Sequence, residues 1–431
     1  MSGLDWFEEV NHDYPLLGIQ LHIRLGDLHD PPDKSGLLNT TADMMLRGAG
    51  TLDRAAFSER VEALGGHLEI ALTRESLVID GEVLTRLSDE WFDLLELALF
   101  SPVFDAAELQ RYVQQSASAL SDLADSDEAL GSIAYHRALL APDPKSRCVK
   151  GTLSSLEQLT IDDLKACHET LIQRDRLLLG VCGNVTEGVR SRLRKLLEAI
   201  PQGRFIDSAP VDISKVDAFD IWLVDKPART QCQLFLGTLA PVIGDMAYPG
   251  LTIGTTAFGG MFTSRFSQEI REKRGWSYAA WAAYTARADI GWWTLRCFPS
   301  TEHALRTLDV ASTMVDQLVE LGLTEAEHAF AVDTLVASFS FQVQTHKRRM
   351  EDTLLLRLLR RPHDAMSKWQ ETLRSTTLTT ANACLRSLAW PKATCVMVGD
   401  ADHLQSRLQG WSRSVSVRCT TPEKVLADIW E

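Results

Sequence analysis

The sequence contains no run of 18 apolar residues, so no segment reads as a membrane span. Its first residues, Met-Ser-Gly-Leu-Asp-Trp-Phe-Glu-Glu, have neither the basic start nor the apolar core of a signal peptide. As written, the chain is expected in the cytoplasm, or in the periplasm if the N-terminus is incomplete. Basic residues are the minority, 44 against 58 acidic ones, and a net charge of −14 argues against nucleic acid or anionic membrane as a partner. The eight cysteines include no Cys-x-x-Cys pair, and several fall in apolar strand-like runs. They are expected to be buried free thiols, not a disulfide framework or a metal site. The eleven histidines contain no pair at i,i+3 or i,i+4, so no helix face can present two imidazoles to a metal. No Gly-x-Ser-x-Gly elbow and no plausible Cys–His pairing is present, which removes the common serine and cysteine hydrolase designs. What remains is an ordinary globular composition, 45% apolar and 24% charged over 431 residues, enough for two or more cored domains.

The two halves of the chain repeat each other. Strand-like Gly18–Gly26, the polar loop 27–35 and a helix from Gly36 to about Leu46 correspond to strand-like Gln231–Gly237, a loop and a helix from about Gly250. Gly26 and Gly237 lie 211 residues apart, and Gly36 and Gly250 lie 214 apart. Each half then has a helix stopped by glycine, Phe57–Leu64 before Gly65 and Ser264–Arg274 before Gly275, and each closes on an apolar strand, 177–184 and 393–400. Four markers at a near-constant offset indicate a duplicated α/β domain. Long helical stretches lie between them, at 89–100, 105–122, 127–140, 160–173, 302–321 and 324 to about 359. Strands followed by runs of helices favour α+β layers over a doubly wound sheet. The segment 201–216, with Gly, Pro and alternating charge, is the candidate linker. The expected division is a first domain over 1–205, a linker at 206–216 and a second domain over 217–431.

Residues 258–278 carry the most information. Gly259 and Gly260 open the stretch, with no following Lys-Ser/Thr as in a phosphate loop, so they read as a turn that lets a helix approach the sheet. Thr263 or Ser264 can cap a helix that buries Phe266 and Ile270 at i and i+4 and stops at Gly275. From Trp276 to Tyr284 the pattern alternates as a strand. Arg271 and Tyr278 then flank one bend.

The motifs Asp33-Lys-Ser-Gly-Leu, Leu64-Gly-Gly, Gly183-Asn and above all Ser264-Arg-Phe-x-x-x-Ile-Arg-Glu-Lys-Arg-Gly-x-x-Tyr278 carry a resemblance. The chain resembles the M16 metallopeptidases, the pitrilysin, insulinase and mitochondrial processing peptidase family, and within it the bacterial half-length type. The resemblance spans about Asn11 to the C-terminus. It implies two homologous LuxS/MPP-like α/β domains with antiparallel-rich sheets and packed helices, and active enzymes in which four such domains enclose a chamber. Measured against that pattern, the chain is expected to begin after the family's first strand.

The family's zinc motif, His-x-x-Glu-His, puts two imidazoles and a general base on one helix face. Here the matching positions read Asn39, Ala42 and Asp43, and the third ligand, a Glu about 76 residues further on, aligns with Ala119, or with Ser118 if the gap slips by one. The resemblance therefore implies a degenerate motif, no metal and no cofactor in this chain. Two side-chain oxygens from Asn39 and Asp43 are too few for a hard cation, and capping and solvation are the plainer expectation for them. In contrast, the Arg and Tyr, seven residues apart, with which active members grip substrate near the zinc, are matched by Arg271 and Tyr278. Outside that motif, the same pair would read as a solvated helix arginine beside a half-buried strand tyrosine. Lys273 and Arg274 read as charges complementing the helix C-terminus. Trp276, Trp281, Trp292 and Trp293 can line a peptide wall but more often fill a core, and the basic run His346–Arg349 reads as a solvated helix face.

The resulting expectation is an inactive subunit of a heterodimeric M16 metalloprotease-like complex. It would pair with a homologous zinc-bearing subunit, close the chamber around a peptide or unfolded polypeptide substrate, and lend Arg271 and Tyr278 to proteolysis. The competing expectation is a peptide-binding or structural subunit with no role in catalysis.

Overall fold

The computed structural model describes residues 6–209, 211–213, 219–408, 411 and 415–429. Pro210 and residues 214–216 of the expected linker, and the start of the expected second domain, lie outside these. The chain is an α+β protein of two compact units, each with a mixed sheet and packed helices.

In the first unit the sheet order is Phe7–Val10, Leu177–Gly183, Leu16–Arg24, Ser76–Leu84, His67–Leu72. Only the first pair is parallel. In the second unit the corresponding strands Phe219–Asp225, Thr394–Gly399, Gln233–Leu239, Gly291–Cys297 and Ala280–Ala286 follow in the same order, and Val415–Thr420 adds a parallel edge outside Phe219–Asp225. The duplication inferred from the glycine offsets is thus present strand for strand. One expectation is corrected: the first strand is present, as Phe7–Val10, four residues whose register sets Phe7 opposite Gly180.

Each unit takes one helix from the other half of the sequence. The first unit consists of the chain to Ala119, Cys148–Ala209 and Phe341–His363, and the rest of the described chain makes the second. In the second unit, helix Asp127–Leu140 packs Leu130, Ala134, Tyr135, Leu139 and Leu140 against Trp222, Phe235, Val396 and Val398 of the sheet. Gly131 permits this approach, because a Cβ there would lie 2.5 Å from the Phe235 ring. In the first unit, helix His346–Leu358 buries only Met350 and Leu354, against Cys182, with Phe7 and Leu178 at the rim. Gly180 plays the matching part, since its Cβ would meet Met350 at 2.7 Å.

Two further expectations change here. The helix read as continuous from 324 to about 359 is two helices, Glu325–Gln342 and His346–Leu358, and the second is capped by Thr345, whose hydroxyl accepts from Arg348 N. The break, at 343–345, follows within a few residues of the point, between Ser340 and Phe341, where the chain passes from one unit to the other. The basic run that follows is also not a plain solvated face. Arg349 donates to Glu9 at 2.7 Å, His346 lies 3.3 Å from the same carboxylate, and Lys347 donates to Asp80 at 3.0 Å. Charges therefore complete the docking that so small an apolar contact begins. None of the cysteines is in a disulfide; five are buried, Cys148 and Cys167 half-buried and Cys419 exposed. Among the described residues no helix is long and apolar enough to cross a membrane.

Beneath Lys347 lies a polar network in the first sheet. Ser76 Oγ and His22 Nδ1 are 2.9 Å apart, His22 Nε2 and Gln20 Oε1 are 3.0 Å apart, and Gln20 donates on to Asp80 at 3.1 Å. Because the Gln20 oxygen can only accept, Nε2 carries a proton, and with the ring kept neutral by burial Ser76 donates to Nδ1. Burial pushes His22 down to about 4 from its usual 6.5, against the opposing pull of Asp80. The folded state therefore binds fewer protons than the unfolded chain between pH 6.5 and 4. Its contribution is fully present above 6.5 and is lost as pH falls, by about 3 kcal/mol across the window. Urea midpoints of the wild type and His22→Gln, compared at neutral pH and near pH 4, test this. The wild type is expected to lose more stability on acidification, and identical losses would remove His22 as the cause.

Candidate functional site

The helix bearing Arg271 forms because its apolar residues fall on one side and its ends are marked. Phe266 and Ile270 are fully buried, and Phe266 stacks on Phe258 with ring centroids 5.9 Å apart. Ser264 occupies the N-cap with extended backbone, and its carbonyl accepts from Gln268 N at 2.9 Å, but its hydroxyl makes no capping bond. After Arg265–Ser267 the helix widens into a π-type turn over Gln268–Lys273, a distortion found often at functional sites. Gly275, at φ +64°, ends it in the left-handed conformation expected of that glycine. Lys273 and Arg274 both pair with Glu269, as surface charges do.

The strand begins later than its alternating pattern suggests, at Ala280 and not at Trp276. Ser277 explains the delay. Its buried hydroxyl donates to Ala279 O at 2.6 Å and accepts from Phe298 N at 2.8 Å, which turns 277–279 out of the sheet. Tyr278 is consequently not a half-buried strand residue but stands 87% exposed.

Arg271 and Tyr278 are brought together, with the guanidinium carbon 5.6 Å from the phenol ring centroid. The third member of this group carries no signal in the sequence. Phe262 lies on the other contact of the guanidinium, its ring centroid 3.8 Å from the same carbon, and is itself 67% exposed. All three line a pocket of about 270 Å³ with Gly259, Met261 and Trp281. Gly259 belongs to a wide turn, 256–260, that continues helix Tyr248–Thr255, and a Cβ there would sit 2.5 Å from Ala282. Close approach of helix and sheet is therefore why glycine stands there. Of the four tryptophans singled out, Trp292 and Trp293 are buried, Trp276 is half-buried and Trp281 reaches the pocket. Neither the Arg271 guanidinium nor the Tyr278 hydroxyl makes a hydrogen bond to the described protein. Arg271 has only an ion pair of 3.6 Å with Glu272, whose side chain is 49% exposed.

The residues expected to match the zinc motif, Asn39, Ala42 and Asp43, lie in the other unit, on helix Leu37–Met44. Asp30 serves the start of this helix, accepting from Gly36 N at 2.7 Å and Leu38 N at 2.8 Å. Asn39 and Asp43 therefore do not cap it, contrary to expectation. Asn39 donates its amide to the Tyr112 hydroxyl at 2.8 Å, Asp43 pairs with Arg47 one turn on, and Arg47 reaches Gln115 at 2.9 Å. Ala42 is buried. Ala119 lies on helix Ala106–Asp125, half-buried and two turns past Tyr112, and the neighbouring Ser118 is exposed. Hydrogen bonds and a guanidinium thus join the two helices that hold the metal in the family pattern. These residues do not fit zinc: no imidazole is present, Asn39 is engaged as a donor, and the Asp43 carboxylate is held by a fixed positive charge. Among the described residues no group of three or more His, Cys, Asp and Glu could hold a metal ion. Arg47 also borders a cavity of about 710 Å³ in which Arg54 and Arg111 flank the buried Glu108.

Residues 10–147 match the family model described as insulinase (peptidase family M16), and residues 158–335 the model described as the peptidase M16 inactive domain. The chain is similar to a Helicobacter pylori protein named non-peptidase homolog YmxG, 23% identical over 351 residues, 80% of each chain. It is also similar to an uncharacterized zinc protease of Mycobacterium leprae, 26% identical over 333 residues, 73% of this chain and 71% of that one. Its fold matches a solved structure from Pseudomonas fluorescens described as a peptidase M16 inactive domain, with TM-score 0.83 at 20% identity, covering 91% of this chain and 95% of that one. A protease from Helicobacter pylori matches with TM-score 0.79 at 15% identity, covering 90% and 96%. With M16 family models matching residues 10–147 and 158–335 and two duplicated sheets in the same strand order, this chain belongs to the M16 peptidase family, in its half-length bacterial form.

Proposed function

We propose that this protein is the non-catalytic subunit of a two-chain M16 metallopeptidase, lending Arg271 and Tyr278 to an active site whose zinc is held by a homologous subunit. The observation that carries the reading is the pairing of an unspent guanidinium and an unspent phenol on one open pocket. A phenol can donate to the oxyanion that develops at a scissile carbonyl, and a guanidinium can hold a neighbouring substrate carbonyl. A purely structural subunit has no chemical need for such a pair. The Asn39 bond to Tyr112, the Asp43 pair with Arg47 and the name of the Helicobacter relative agree with a chain that does no peptidase chemistry by itself.

Expressed alone and purified without chelator, the chain is expected to hold no stoichiometric zinc and to cleave no peptide. Co-expressed with a His-x-x-Glu-His homologue, it is expected to co-purify through an interface above about 1,000 Å² and to support cleavage. One tightly held zinc in the isolated chain would sink the reading. A monomer that ignores such a homologue would leave the peptide-binding or structural alternative.

A further inference from the structure

We propose that the Arg271 pocket binds the free terminal carboxylate of a peptide whose last side chain is apolar. This deepens the function proposed above and rests on it for treating Arg271 and Tyr278 as ligand-facing groups. Of the residues lining the pocket, Arg271 is the one charged side chain, and the rest are glycines, small residues, Met261, Phe262, Tyr278 and Trp281. The nearest acid, Glu272, approaches only to 3.6 Å and is half-exposed, so it neutralises the guanidinium weakly. The Arg271 side chain is 23% exposed, with the Phe262 ring at 3.8 Å as its closer contact and the Glu272 carboxylate reaching only its Nε. Ring faces engage the plane of the guanidinium, Nε faces Glu272 at 3.6 Å, and the two terminal amino groups make no hydrogen bond or ion pair to the described protein. A partly desolvated cation with a free donor edge matches the two oxygens of a carboxylate better than the single oxygen of an amide. The pocket volume, about 270 Å³, falls below the roughly 300–1,000 Å³ of drug-sized sites. That leaves room for one residue, and the walls suit an apolar one.

Within this group Phe262 is a positioning residue, fixing the plane of Arg271 from 3.8 Å while touching solvent on its other side.

Calorimetric titration of the full chain with an acetylated pentapeptide ending in free leucine, with its C-terminal amide, and with the same peptide ending in aspartate tests the proposal. The amide is expected to bind on the order of tenfold more weakly or worse, as is the aspartate peptide. Phe262→Ala is expected to weaken the acid peptide by about threefold or more, with Phe262→Tyr restoring it, and Arg271→Lys is expected not to substitute for the planar fork. Equal affinity for acid and amide would overturn the proposal while leaving a substrate-carbonyl role for Arg271 intact. Absence of measurable binding by the acid peptide would overturn it as well. Because the chain is used alone, failure to find a zinc-bearing partner has no bearing on the result.

Discussion

Exchanging Tyr278 for Phe in a complex reconstituted with a zinc-bearing homologue is expected to lower kcat by roughly 10²-fold or more, with zinc content and assembly unchanged. The hydroxyl has no partner in the described protein and the ring is 87% exposed, so its loss removes no packing and orphans no buried group. The cost falls on the transition state, where negative charge develops. Arg271→Ala is expected to raise KM at least as much as it lowers kcat, because its contact with the substrate exists before the transition state as well as in it. Rescue by the nearest candidate on the strand is not expected. Tyr284 donates its hydroxyl to Pro241 O at 2.5 Å and is half-buried, and burial raises its pKa well above the usual phenol value. Wild-type turnover by the Tyr278→Phe complex on a peptide it cleaves efficiently would rule out donation by this tyrosine and leave the chain as a wall of the chamber.

The second large effect is on stability. Met350→Ala is expected to cost about 2–5 kcal/mol and to release helix His346–Leu358 from the first sheet before the rest of the unit unfolds. Met350 is fully buried in a cluster whose only other buried members are Cys182 and Leu354, so few neighbours can close the cavity. Among what then holds the helix are Leu354, the partly exposed ion pairs of Arg349 with Glu9 and of Lys347 with Asp80, and the polar contact of His346 with Asn11, each worth little without the apolar contact. Hydrogen exchange should rise in 346–358 and in the edge strand Phe7–Val10 that shares Glu9, and not in Asp127–Leu140, whose cluster in the second unit has thirteen buried members. Equal loosening of both helices would contradict this account.

Features that depend on neighbours along the chain are legible in the sequence. The apolar strands at 177–183 and 394–399, the helix over 127–140 and the left-handed stop at Gly275 each follow from local periodicity or from one residue's backbone freedom. The duplication is legible for the same reason, because two copies of one local pattern recur at a fixed offset. The family can be read from residue identity alone, and so can the absence of any His-x-x-Glu-His from the sequence, since neither needs coordinates.

Contacts between residues far apart in sequence are a matter of tertiary structure. No periodicity assigns helix His346–Leu358 to the first unit or Asp127–Leu140 to the second, because an apolar helix face does not name the sheet it covers. Glycines 131 and 180 reveal the match only once the opposing side chains are known. The strand pattern through Trp276 misleads because the Ser277 hydroxyl competes for backbone groups, one of them at Phe298, and a two-residue alternation carries no trace of that. Arg47 bonding Asp43 can be suspected from its i,i+4 spacing, but Tyr112 on Asn39 and Phe262 on Arg271 cannot. Residue identities alone show that no His-x-x-Glu-His stands at positions 39–43 and that an Arg and a Tyr lie seven residues apart at 271 and 278. Only the fold could place an aromatic ring on the guanidinium and turn the phenol out to solvent, because both outcomes depend on packing between segments that local sequence does not connect.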